Sequence, residues 1–222
     1  MKLFNDVARD WKDERNRIIG HVTLSPPINF DYGDEGFTDD LAVVEVYPSM
    51  IAKLNFVGNV FDLGSIVVAE LTAWVEPSFK YPKSHLLHFF GLVSDNVFKP
   101  NFKTNVDYNN IMVVKHGSAS NPTMGRPNTV RASVRTYPID GQPGKMSKEV
   151  CVVPRNPKSG PLSACGDSGS AVIDGIGRVS GIITGGDAAT DVSDCKFVTS
   201  INFLLKRLKS FGIEGNIFSA CC

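Results

Sequence analysis

The chain is short of the residues that mark several function classes. It has five cysteines in 222 residues, at positions 151, 165, 195, 221 and 222, and their odd count and irregular spacing outline no disulfide framework. No pair has Cys-x-x-Cys spacing, and the four histidines, His21, His85, His88 and His116, do not cluster with them. No metal site and no cofactor are therefore expected. Charge has no dominant sign, with 23 basic and 23 acidic residues. The basic stripe with interleaved aromatics that a nucleic-acid partner needs is missing. No apolar run approaches the length that crosses a bilayer, so no membrane partner is expected. A basic start followed by an uninterrupted apolar core is also missing, which predicts no signal peptide and leaves the cytoplasm as the default compartment. The terminal Cys221-Cys222 lacks the four-residue lipidation box and reads as an exposed tail.

What the chain does have is punctuation. Twenty glycines and 13 prolines, dispersed along it, suit many short strands and turns, and the length suits one large all-β domain of two packed barrels or two small subdomains. Leu3, Val7 and Trp11 recur at helical spacing among charged residues, as in the tail of a surface helix. Arg17 to Leu24 reads as a strand, and so does Ser65 to Thr72, before a proline-bounded connection from Trp74 to Pro82. A further strand is expected at Ile111 to Lys115, a loop from Gly117 to Pro127, and another strand from Thr129 to Tyr137.

The stretch richest in chemistry is Gly166-Asp167-Ser168-Gly169, with the apolar Ala171-Val172-Ile173 just after it. An attacking serine needs a tight turn that exposes its hydroxyl. A glycine two residues earlier can offer its N–H, together with the serine's own, to a developing oxyanion, while a buried aspartate braces the turn. Gly, Asp and Ser also crowd ordinary turns, so the segments downstream of the motif carry much of its weight. Asp174 to Gly177 reads as a hairpin turn, Val179 to Gly186 as the returning strand, and Lys196 to Thr199 as one more strand. Ile201, Leu204, Leu205 and Leu208 then have helical spacing. From about Gly160 to Gly212 this order resembles the chymotrypsin-like serine proteases.

That resemblance implies an all-β, chymotrypsin-like double β-barrel with an N-terminal helical segment and a C-terminal helix. It implies Ser168 as nucleophile and Gly166 and Ser168 as oxyanion donors. It implies Leu162, six residues before the nucleophile, at the base of the primary pocket, and Ile183, Thr184, Gly185 and Gly186 as the edge that binds substrate backbone. Asp40-Leu41-Ala42 resembles the segment that carries the triad acid, which selects Asp40 over Asp39. Cys165 and Cys195 would be the pair to bridge in secreted relatives, but with no signal peptide free buried thiols are expected. The base is harder to place. His21 alone precedes Asp40, by 19 residues, in a strand-like segment without the expected turn, so it reads as a strand residue rather than the triad base.

Asp10 to Ile28, Asn59 to Gly64, Lys115-His116-Gly117 and Gly185 to Asp191 resemble a fungal group within the same family. In that group the histidine lies upstream, before a charged helical insertion that leads into the Trp-Lys-x-Glu region. This sequence begins about where such an insertion ends, so the resemblance implies an N-terminally truncated chain with an incomplete first barrel. The expected division is a helical lead-in over 1–17, the remainder of the first barrel over 18–110, a second barrel with the C-terminal helix over 111–212, and a tail over 213–222. Two functions are in play: a serine endopeptidase acting on peptides or proteins, or an inactive protease-like module that binds them.

Overall fold

Short β-branched runs pair wherever a turn lets the chain reverse, and they do so unequally along this chain. The computed structural model describes residues 8–9, 11–53, 58–64, 81–98, 112–137, 143–155, 159–186 and 194–218. The strand expected at Ser65 to Thr72, together with Leu3, Val7, Trp74, Cys221 and Cys222, lies outside them. Contacts divide the chain into two compact units, Met1–Ile28 with Asp40–Val57, and Asn29–Asp39 with Gly58–Cys222.

In the first unit a 3-10 turn, Glu14–Arg17, is capped by Asp13, whose carboxylate accepts the Arg15 N–H and pairs with its guanidinium at 2.7 Å. Strand β1 (Gly20–Leu24) then pairs antiparallel with β4 (Val43–Val46), Val22 opposite Val44 and His21 opposite Glu45. A short helix, α1 (Pro48–Lys53), follows. The strand expected from Arg17 starts three residues later, because the 3-10 turn takes Arg17 and ends at Ile18.

The second unit contains a closed barrel. After the hairpin β2 (Asn29–Tyr32) and β3 (Phe37–Asp39), and the pair β5 (Val60–Asp62) and β6 (Leu86–His88), come β7 (Gly91–Leu92), β8 (Val113–Lys115), β9 (Thr123–Pro127), β10 (Ala132–Thr136), β11 (Lys145–Pro154), β12 (Ala171–Asp174), β13 (Arg178–Gly186) and β14 (Lys196–Ser200). Strands β8, β9, β11, β14, β13 and β12 pair in that order, and β12 pairs back onto β8. Closure leaves this ring without free edges. Strand β11 is long enough to pair with β10 over its first half and with β14 and β9 over its second. Val113, Val114, Val150, Val152, Val172, Ile173, Val179, Ile183 and Val198 are buried on one face or the other of these strands, where branched side chains suit a pleated surface. The expected all-β barrel fold with a C-terminal helix is thus present.

Helix α2 (Ile201–Ser210) closes the architecture. Ser200 caps its N-terminus by accepting the Asn202 N–H, Arg207 and Lys209 lie in its last turn, and Ile201, Phe203 and Leu204 are buried. The β2–β3 hairpin packs beside it: Phe37 lies 5.2 Å from Phe203, and the fully buried Asp39 takes the Arg207 guanidinium at 2.8 Å. Glu149, buried on β11, accepts the Thr38 N–H and the Thr199 hydroxyl.

Two expectations are corrected. The segment read as loop through Pro127 is strand from Thr123, because pairing with β8 on one side and β11 on the other satisfies its backbone. The cysteines are not all free: Cys151 is bonded to Cys195, their Cα atoms 6.0 Å apart, while Cys165 is free and exposed. Adjacent strands bring Cys151 and the start of β14 together, a proximity that spacing along the chain does not reveal.

Candidate functional site

The serine turn is built by side chains that arrive from β8 and the loop after it. Asp167 is fully buried, and so is Lys115, the last residue of β8. Neither charge is tolerable alone in the barrel wall, and they meet at 2.7 Å. The Asp167 carboxylate also accepts N–H groups from Ala119, Ser120 and Ala164 and the Ser120 hydroxyl, which itself bonds Lys115 Nζ. Burial works against the charge of Asp167, yet the Lys115 ammonium, the Ser120 hydroxyl and the backbone donors hold its carboxyl well below the usual range.

Gly117 lets the loop come this close, since a Cβ there would stand 2.0 Å from Asp167 Oδ1. Gly166 takes a φ of +100°, a conformation that glycine adopts without penalty. With the aspartate anchored inward, the flanking residues are pushed out. Ser168, Gly166 and Gly169 are exposed on either side of it.

The amides of the turn fall into two sets. Those of Asp167, Gly169 and Ser170 donate to the carbonyls of Ala164, Ile183 and Asp167 at 3.1, 2.7 and 3.0 Å. Among the described residues, the N–H groups of Gly166 and Ser168 have no such acceptor. Two uncommitted donors therefore flank an exposed hydroxyl, the arrangement that can stabilise an oxyanion formed when that hydroxyl adds to a carbonyl.

No protein-family model matches the chain, and no curated protein matches it. Among solved structures it is similar to the crystal structure of Nocardiopsis protease (NAPase), at 18% identity and a TM-score of 0.35 over 56% of this chain. The chain covers 53% of that protein, about half its length. None of these comparisons supports kinship with a fungal group.

The remaining candidate residues fall unevenly around the turn. Ile183 is buried, and its backbone is already spent on it, its carbonyl taking Gly169 N–H and its N–H reaching Ser170 O at 3.0 Å. Thr184, Gly185 and Gly186 continue the strand outward to an exposed end. Leu162 is 1% exposed and turns toward β9, where a Cβ on Gly125 would come within 3.1 Å of it. Its N–H donates to Asp194, which also pairs with Lys196 at 2.7 Å.

Asp40 and His21 belong to the first unit. Asp40 is exposed and precedes β4, most of whose residues are exposed, whereas its neighbour Asp39 is the buried acid. His21 lies on β1 with Nε2 3.8 Å from Glu45 and its ring against Tyr47. In the barrel unit, His116 Nδ1 lies 2.9 Å from the Asp62 carbonyl and His85 Nδ1 lies 3.0 Å from the Tyr81 hydroxyl. Within that unit, among the described residues, no imidazole hydrogen-bonds the Ser168 hydroxyl.

Sequence reasoning missed Lys115, Ser118 and Ser120 as builders of the turn. A signal for the first existed. A single lysine inside an apolar strand and a single aspartate inside a glycine–serine turn are each too costly to bury alone, so each implies a partner of the other sign.

Proposed function

We propose that the barrel presents Ser168 as the nucleophile of a serine endopeptidase-like protein that acts on peptides or proteins. The observation that carries this reading is the pair of uncommitted N–H groups at Gly166 and Ser168 beside the exposed hydroxyl, in a turn fixed by the buried Asp167. Ser168 Oγ adds to the scissile carbonyl while its proton passes to an imidazole. The new oxyanion is held by the two amides, and the same imidazole then protonates the leaving amine. Substrate backbone runs along Thr184 to Gly186. The likeness carried by Asp40-Leu41-Ala42 implies Asp40 as the acid for this imidazole, and His21 is the one histidine of the sequence that precedes it.

A binding module without turnover is the alternative, favoured by the lack of an imidazole on Ser168 within its own unit. A fluorophosphonate probe separates the two, since it loses fluoride only to an activated serine. Labelling that disappears in Ser168→Ala is the expected result. A chain that binds peptides but takes no label would establish the binding module, because loss of any triad member costs orders of magnitude in rate.

A further inference from the structure

We propose that Lys196 is the specificity-determining residue of the Ser168 site and restricts it to peptides with a small side chain, as in glycine, alanine or serine, on the residue whose carbonyl is attacked. The inference rests on the reading of Ser168 as nucleophile and of Thr184 to Gly186 as the substrate edge. Two stretches of chain meet at the serine turn. They are stitched together by Gly169 N–H on Ile183 O at 2.7 Å and by Ile183 N–H on Ser170 O at 3.0 Å. On the Leu162 side of that stitch, among the described residues, no backbone hydrogen bond joins 162–168 to 184–186. A peptide on the edge with its carbonyl at Ser168 has these two stretches on either side of the adjoining side chain.

Side chains span the same gap. Lys196 stands opposite Gly186 in the β13–β14 pairing, a register that puts the two positions on one face. The lysine stem crosses the glycine: a Cβ on Gly186 would come 2.4 Å from Lys196 Cδ and 3.1 Å from its Nζ. The ammonium then meets Asp194 Oδ1 at 2.7 Å, and Asp194 Oδ2 accepts the Leu162 N–H at 2.9 Å. The edge and the Leu162 segment are thus linked by a bar made of one aliphatic stem and one ion pair. Both side chains are nearly buried, 9% and 12% accessible. Parting such a pair to admit a long apolar side chain costs more than burying a few methylenes returns. The bar therefore stays in place, and the space short of it takes a small group. Because Asp194 balances the ammonium, the bar selects by bulk and not by charge.

The test uses peptidyl diphenyl phosphonates, which lose phenol on reaction with an active serine, carrying a methyl, isobutyl or carboxyethyl side chain at the reacting position. Wild type labels about tenfold faster with the methyl probe than with the isobutyl probe. Two double variants without either charge separate bulk from charge, and both keep an acceptor for the Leu162 N–H. Asp194→Asn/Lys196→Ala removes the stem and raises the isobutyl-to-methyl rate ratio about tenfold. Asp194→Asn/Lys196→Met keeps a stem and holds the ratio near that of wild type. An equal rise in both variants, or a wild-type preference for the isobutyl probe, would overturn the proposal. So would a wild-type preference for the carboxyethyl probe, which would show that Lys196 reads charge. If a fluorophosphonate gives the wild-type chain no Ser168-dependent label, the nucleophile reading fails by itself. Calorimetric titration of wild type and both double variants with peptides ending in alanine or leucine then decides the role of Lys196 by the same ratio, and binding of neither peptide overturns it.

Discussion

Lys115 and Asp167 set the energetics of the turn from within the barrel wall. Both are fully buried and meet at 2.7 Å, and removing one partner of such a pair leaves an unpaired charge that costs about 3–5 kcal/mol. Lys115→Met should therefore lower the denaturant midpoint sharply at neutral pH. The pH dependence comes from the sign of the shift. Asp167 is held below its ordinary value of 3.8 in the folded chain. Its contribution is therefore complete above that value and is lost as pH falls from about 4 downward. Comparing wild type with Lys115→Met by urea unfolding should show a gap that is wide near neutrality and narrows on acidification, as Asp167 takes a proton in both. A gap independent of pH would assign the loss to packing around the lysine stem instead of its charge.

At the scale of elements, β11 and β14 are joined by a disulfide as well as by backbone pairing. Cys151 on β11 and Cys195 just before β14 close a span of 44 residues. A cross-link of that span restricts the unfolded chain and contributes about 2–4 kcal/mol. A Cys151→Ser/Cys195→Ser double variant should unfold at correspondingly lower denaturant, with the free Cys165 unaffected as a thiol. Equal midpoints for variant and oxidised wild type would show that strand pairing alone carries this side of the barrel.

The same elements separate what was legible in the sequence from what was not. Strands β12, β13 and β14 and helix α2 could be read because each is announced locally: a glycine-rich turn, an apolar run, then side chains at helical spacing. Strand β9 could not, because Thr123 to Pro127 carries turn-forming residues and becomes a strand only with β8 on one side and the distant β11 on the other. The serine turn was legible as a motif. Its supports were not, since Lys115, Ser118 and Ser120 reach it from 52, 48 and 47 residues away along the chain, and nothing in their spacing marks that approach.

The two units differ in how fully they bury what they pair. The barrel closes on itself around a core of valines and isoleucines, whereas the β1–β4 ribbon has two strands and exposes Val22 and Val44, 59% and 47% accessible, on one face. A two-stranded ribbon is marginal on its own in water, and opening free energies track local burial. Ser168 stands in the closed unit, and Asp40 and His21 in the ribbon unit. The nucleophile turn thus inherits the rigidity of the barrel, while Asp40 and His21 sit on backbone with less to hold it. Native-state hydrogen exchange should resolve this gradient. Amides of β13 and β14 should open only with global unfolding, those of β1 and β4 orders of magnitude faster, and a ligand occupying the Ser168 turn should slow the barrel segment first. Equal protection of the ribbon and the barrel would mean that the ribbon face is covered in solution, and that both units unfold as one.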